Sequence, residues 1–290
     1  MALITDAFKK TYADSLQLAL QQADSRLSPH VTVRTDLRGE GLQPAKYVEP
    51  FDFQDKASRF APTPTFEPDF STRWVAPVTK HVAPRIDRTD RLSLGFDPQS
   101  DIMQAIRAAA RRVKDDVIIP ALGGTNYTGK DGSTATALPA SQVVDTNVGG
   151  SGTNLNKAKL LAALEILEAN DVDPDAPRVL VIGPSQHAAL RKLAELTDAR
   201  SKISAEIVDG RVRSVFGTPV VVTNRLPVAV GVRDCFLFTR DGVFLGIWED
   251  VFTDVQYDIA NSWAIVMYAE VTLGATRLDE KKVVKIQCTE

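Results

Sequence analysis

The chain has 290 residues, of which 44% are apolar and 24% charged, with a formal net charge of −3. That is the balance of an ordinary soluble chain of one large domain or two modest ones, and it lacks the basic field that draws a protein to nucleic acid. Cys235 and Cys288 have neither metal nor redox spacing and read as inert thiols of a reducing compartment. The longest apolar run, Trp263 to Ala269, is too short for a bilayer. Asp6, Lys9 and Lys10 interrupt any signal-peptide core, so the expectation is a chain made in a cytoplasm.

Residues 5–27 predict an amphipathic helix. Thr5 can cap it, and Phe8, Tyr12, Leu16, Leu20, Ala23 and Leu27 recur at three- and four-residue spacing. No partner helix follows, so the stripe must be buried against something distant. Residues 30–48 predict a hairpin, VTVRTDL and QPAKYV flanking the turn Arg38 to Gly41. The next stretch, 47–77, carries Pro50, Pro62, Pro64, Pro68 and Pro77, which exclude a helix or a central strand. It also carries Phe51, Phe53, Phe60, Phe66, Phe70 and Trp74. Its five phenylalanines, out of twelve in the chain, are too many for a disordered linker. The reading is an extended arm whose aromatic side chains find a surface on another subunit. A lid over an active site is the competing reading.

Residues 78–94 predict polar strands that end near Gly95. A long helix follows from Ser100, with Ile102, Ile106, Ala109, Val113 and Val117 on its stripe and Pro120 ending or kinking it. Arg107, Arg111, Arg112 and Lys114 lie off the stripe and read as a solvated or ion-paired face before they read as a nucleic-acid contact. Asp115 and Asp116 are adjacent and point to different faces.

The loop at 123–134, GGTNYTGKDGST, spaces Gly124 from Gly129-Lys130 as a phosphate-binding loop would. A working loop needs a hydroxyl on Mg²⁺ after the lysine, a strand before and a helix after. Here Asp131 follows Lys130, a helix precedes, and DGSTATALPA lacks helical periodicity. The expectation is a surface loop that binds no nucleotide.

Residues 154–170 predict a helix capped by Asn154, with Leu160, Leu164 and Leu167 buried. Asp173 to Pro177 breaks it. A buried strand at 178–183, a helix at 184–196 opened by Pro184 and Ser185, and a strand at 218–223 follow. CFLFT, GVFLGIW and FTDVQYDI read as successive strands, WAIVMYAEVTLGATRL as a long β segment, and KKVVKIQC as the closing strand. His30, His81 and His187 have no metal-site spacing. Gly183 to His187 lacks the second glycine of a nucleophile elbow. No catalytic, cofactor or metal site is expected, and the chain reads as something other than an enzyme.

The order of these elements resembles a known family. A helical N-terminal arm, a long Pro/Phe-rich loop, the spine-like helix DPQSDIMQAIRAAARRVKDDVIIPAL, the loop NYTGKDGST, a compact α/β unit and the return AEVTLGATRLDEKKVVKI are together similar to the major capsid protein of a tailed double-stranded DNA bacteriophage or prophage. The resemblance implies an α+β chain of the Hong Kong 97 type. It implies an N-arm at 1–40, an E-loop at 41–80, a P-domain at 81–150 and 263–290 with its spine helix at about 100–119, and an A-domain at 151–262. It further implies inter-subunit contacts at Phe8, Tyr12, Phe51, Phe53, Phe60, Phe66, Phe70 and Trp74. The function implied is assembly as pentamers and hexamers into an icosahedral shell around the phage genome. Expected partners are other copies, a portal protein at one vertex, a separate scaffolding protein, a decoration protein in some systems, and DNA held without sequence specificity, with no membrane. The separate scaffold is expected because the arm helix begins at Thr5, directly after Met1, where self-scaffolding relatives carry a long extension. Assembly is expected in the host bacterial cytoplasm and the product in the virion. Encapsulin nanocompartments resemble the same pattern and would be told apart by a cargo-peptide groove, which the sequence does not reveal. An enzyme lidded by 47–77 would instead be a monomer or small oligomer with a pocket.

Overall fold

In the computed structural model, residues 24–39, 41–48, 70–87, 99–193, 205–208 and 211–290 are described, with Gln22 and a few single positions between 53 and 67. The helix expected at 5–27 falls outside them except at its end. There the chain does not coil: residues 24–27 bend into one 3-10 turn, Ser28–His30. In chain order the strands are β1 (Thr32–Arg34), β2 (Leu42–Val48), β3 (Phe70–Val75), β4 (Val78–Val82), β5 (Arg85–Ile86), β6 (Asn126–Thr128), β7 (Thr134–Thr136), β8 (Val143–Val144), β9 (Arg178–Ile182), β10 (Ala205–Val208), β11 (Arg211–Val215), β12 (Thr218–Val222), β13 (Val228–Ala229), β14 (Val232–Thr239), β15 (Val243–Asp258), β16 (Ala264–Arg277) and β17 (Val283–Thr289). Among the described residues three α-helices interrupt them: α1 (Gln99–Gly123), α2 (Lys157–Ala169) and α3 (Pro184–Lys192).

The strands form three sheets. The first runs β1-β15-β16-β4, with β5 also on β16. The second has eight strands, β10-β11-β12-β9-β14-β17-β8, with β13 on β14. The third is β2-β3-β6-β7. The spine helix α1 lies on β16. The reason is periodicity on both partners. Ile106, Ala110, Ile118 and Leu122 are buried on the helix, and Ile265, Met267, Ala269, Val271 and Leu273 alternate along the strand. The eight-stranded sheet is apolar through its middle. Leu180, Val181, Ile182, Phe236, Phe238 and Val284 are all buried there, with α2 against β17 and α3 against β11. One continuous core joins the two larger sheets, from Leu27 and Val31 through Leu122 to Ile286.

Four expectations need correction. The hairpin at 30–48 does not form: β1 runs parallel to β15, with Val33 opposite Leu245, while β2 pairs with β3, Lys46 opposite Thr72. Burial of Leu27 and Val31 in the main core holds the first strand away from the second, and the chain turns between the sheets through left-handed residues Asp36 and Gly39. Pro120 does not end the spine helix, which continues past it to Gly123. The cap of α2 is Asn156, not Asn154; the Asn156 side chain accepts the Lys159 N–H at 2.8 Å. Asn154 instead donates to the Ser185 hydroxyl at 3.1 Å. Finally, GVFLGIW and FTDVQYDI are one strand, β15, whose register against β16 shifts between Ile247 and Glu249 and again before Phe252.

Candidate assembly interface

The four-stranded sheet has one anchored face and one open face. On the anchored face Arg73, Val75, Asn126 and Thr128 are buried. Arg73 holds the sheet to the turn after β16: its Nε donates to the Leu278 carbonyl at 3.0 Å and its Nη2 to Glu280 at 2.5 Å. On the open face Phe70 is 67% and Tyr127 56% exposed. Trp74, opposite Tyr127 in the register, is half-buried. Its indole Nε1 donates to the Gly129 carbonyl at 2.7 Å, and a Cβ on Gly132 would lie 2.9 Å from its ring. Gly129 and Gly132 both have positive φ. Of the glycines that suggested a phosphate loop, Gly129 lies with Gly132 in the turn of the β6–β7 hairpin, closed over Trp74, while Gly124 sits just past the end of α1. The segment after Lys130 is strand β7, not the helix whose N-terminus a phosphate loop needs. Calorimetry should show no saturable Mg-ATP binding; binding that Lys130→Ala abolishes would overturn this.

Of the contact residues expected from sequence, Phe8, Tyr12, Phe51, Phe60 and Phe66 lie outside the described residues. Phe53 is fully exposed and Phe70 largely so. Trp74 does find an intrachain partner, the hairpin turn. Sequence reasoning missed Tyr127, although alternation in Asn126-Tyr127-Thr128 marks it as the outward member of a strand. It also missed the far end of the β15–β16 hairpin, where Phe252, Tyr257, Ile259 and Trp263 are exposed among acids.

The basic cluster on α1 is largely engaged within the subunit. Lys114 pairs with Asp250 at 2.7 Å, Arg111 lies 3.9 Å from Asp24, and Arg112 donates to the Gln22 carbonyl at 3.0 Å. Asp115 and Asp116 do face different ways. Asp115 is fully buried and accepts from Gln22 Nε2, the Ser25 hydroxyl and the Arg26 and Leu27 N–H groups. Asp116 pairs with Arg225. Two further buried cations organise the fold. Arg277 Nη1 donates to the carbonyls of Ala121, Leu122 and Gly124 at the end of α1. Lys159 Nζ donates to Thr153 and Gln287 carbonyls at 2.5 and 2.9 Å, and burial holds its pKa below the usual lysine value. Cys235 and Cys288 are buried and form no disulfide. Their mutual hydrogen bond, with burial, pushes the Cys235 thiol up. No group of three or more metal-ligating side chains occurs among the described residues.

A long spine helix across a β sheet, a separate arm sheet and a compact α/β unit define the class: this is the Hong Kong 97-type fold of phage capsid subunits. Solved structures agree. The capsid structure of the cyanophage P-SCSP1u matches with a TM-score of 0.72 at 17% identity, over 98% of this chain and 93% of that one. The cyanophage Pam1 capsid asymmetric unit gives 0.71 at 12%, over 96% and 95%, and Mycobacterium phage Che8 gives 0.69 at 15%, over 95% of each. Residues 4–290 match the family model described as phage capsid protein, and the chain belongs to that family. Among curated proteins its sequence has no match.

Proposed function

We propose that this chain is the major capsid protein of a tailed phage or prophage, and that its copies assemble as pentamers and hexamers into a closed icosahedral shell around double-stranded DNA. The observation that carries the reading is the family match over nearly the whole chain. The open aromatic face of the four-stranded sheet supports it, since a contiguous apolar patch on a soluble subunit marks an association surface. In this reading the arm residues, Phe70 among them, are buried on neighbours. Residues 1–40 act as the N-arm, 41–80 as the E-loop and 151–262 as the unit at the capsomer centre. A portal, a separate scaffolding polypeptide and, in some systems, a decoration protein are its partners, and the host cytoplasm is the site of assembly. Each contact need only be modest, because buried area alone does not set affinity and a shell multiplies contacts per subunit. Light scattering and negative-stain microscopy of the purified protein should show capsomers or closed shells. A stable monomer of 31.6 kDa at every salt and protein concentration would overturn the proposal.

A further inference from the structure

Cys235 and Cys288 are the two cysteines of the chain, and the fold brings them together in the middle of the second sheet. β14 and β17 run antiparallel, with Arg233 opposite Cys288 and Cys235 opposite Ile286. Residues opposite one another, and residues two apart on a strand, point to the same face of a sheet. The thiols therefore share a face as a diagonal pair, and both are fully buried. They touch: the Cys235 thiol donates a hydrogen bond to Cys288. Diagonal neighbours stand about 7–8 Å apart between Cα atoms, close to the widest span of a disulfide. Roughly 1 Å of movement of β17 toward β14 would let the two sulfurs bond.

The surroundings of the pair are electropositive, which inert core thiols do not need. Lys159 is fully buried and fixed by the carbonyls of Thr153 and Gln287, the residue before Cys288. Burial lowers its pKa, and the acidic groups that oppose this are Cys288, then Cys235, then Asp145. On the other side the N–H of Gly183, the residue that caps α3, donates to Cys235. The reactive form of a cysteine is the thiolate, and a neighbouring cation favours it. Cys288 is the sulfur that gains. The hydrogen bond from Cys235 lowers its pKa, the Lys159 ammonium adds to this, and burial opposes both. The pair thus has a nucleophile, Cys288, and a second thiol in contact with it.

We propose that Cys235 and Cys288 form a modification site, at which hydrogen peroxide closes an intrachain disulfide that staples β17 to β14. The Cys288 thiolate attacks one peroxide oxygen. The O–O bond breaks, hydroxide leaves and takes up the proton that Cys288 gave, and Cys288 becomes a sulfenic acid. The Cys235 sulfur then attacks the Cys288 sulfur. The S–S bond forms, the S–O bond breaks, and the Cys235 proton leaves with the hydroxyl as water. Two thiols are oxidised, one peroxide is reduced, and two waters result. Peroxide is little larger than water, and Cys288 lies one residue from the end of β17 at Thr289, so a local opening of the strand end admits it. The chemistry needs only the folded subunit. Its timing rests on the shell reading: cytoplasmic reductants keep the pair open during assembly, and the bond closes in the finished particle outside the cell.

The test is made on the reduced, purified wild-type subunit. After hydrogen peroxide treatment and alkylation under denaturing conditions, both thiols should be lost to the alkylating reagent and the chain should be lighter by two hydrogen atoms. Peptide mapping should find Cys235 joined to Cys288 within one chain. In Cys235→Ser the reaction should stop at a Cys288 sulfenic acid, which dimedone captures. The ring closed by the bond holds more than fifty residues, so oxidation should lower the unfolding equilibrium constant in urea about thirtyfold to a thousandfold, and dithiothreitol should reverse this. Thiols that stay alkylatable until methionine is oxidised, a sulfinic acid in place of the bond, or a link between chains overturns the proposal. The wild-type peptide map decides even where the serine variant does not fold. None of these readings depends on assembly, so their failure leaves the shell reading standing, and a subunit that never assembles leaves the disulfide standing.

Discussion

Arg277→Met should cost the unassembled subunit about 3–5 kcal/mol of unfolding free energy, the range for breaking a buried ionic cluster by removing one partner. The guanidinium is fully buried at the point where three parts of the chain meet. Its Nη1 lies 2.8 Å from the Leu122 carbonyl and 3.1 Å from that of Gly124. These carbonyls close α1, where a helix leaves its last acceptors unpaired and where a cation is favoured by the dipole. Its Nε is 3.8 Å from Glu280, which also receives Arg73 of β3. Burial lowers the Arg277 pKa and Glu280 partly offsets this, but an arginine starts so far above neutrality that it stays charged. Methionine fills the volume and satisfies none of the carbonyls. Lysine should restore less than half of the loss, because one ammonium cannot reproduce the planar fork. Urea denaturation of the subunit measures both variants. A loss below about 1 kcal/mol for Arg277→Met would mean that the helix end is held by other means.

Asp115→Ala should cost about 3 kcal/mol and release the segment at residues 22–27, which packs on the spine helix and leads into β1. The carboxylate takes Gln22 Nε2 at 2.6 Å, the Ser25 hydroxyl at 2.7 Å and the N–H groups of Arg26 and Leu27 at 3.1 Å. Truncation leaves two backbone donors facing a low-dielectric core, and such donors are expensive when unmet. Leu27, fully buried, would lose its anchor in the same step. Asp115→Asn keeps an acceptor for part of the set and should fall between. Tryptic cleavage after Arg26 should accelerate in step with the loss of stability. Unchanged cleavage in Asp115→Ala would show that the segment is held by its apolar contacts alone.

Much of the fold is visible in local pattern. The stripe of α1, the leucines of α2, the Pro184 start of α3 and the alternation of β16 each state their own period, and each element formed. What was hidden depends on partners far along the chain. VTVRTDL reads as half of a hairpin because Gly39 and Gly41 follow it, yet its partner is Phe244 to Gly246, some two hundred residues away, chosen by burial and not by turn chemistry. Pro120 reads as a stop because a proline removes one helical bond. No local rule could reveal that Arg277 would take the carbonyls of the final turn. The proposed contact surface was legible only as composition. A run of phenylalanines signals that something must cover them, whereas the apolar tip at 251–263 is spread among acids and looks like an ordinary amphipathic strand until its exposure is seen.

The return of β17 to the second sheet has a consequence for the timing of synthesis. Among the described residues β8, at Val143 and Val144, pairs only with β17, and β14 lies between β9 and β17. The β14 side of that sheet therefore stays unfinished until residues 283–289 have been made. At bacterial elongation rates of about 5–20 residues per second, the gap between β8 and its partner lasts roughly 7–30 seconds. From the completion of β14 until β17 emerges, the apolar faces of β9 and β14 sit beside an unpaired edge while many chains are translated at once. Pairing over such a separation is intrinsically slow. A cell making this subunit in quantity is thus expected to draw on chaperones before any capsomer forms, and soluble yield should respond more to slowed translation and chaperone supply than to the strength of the contacts between finished subunits.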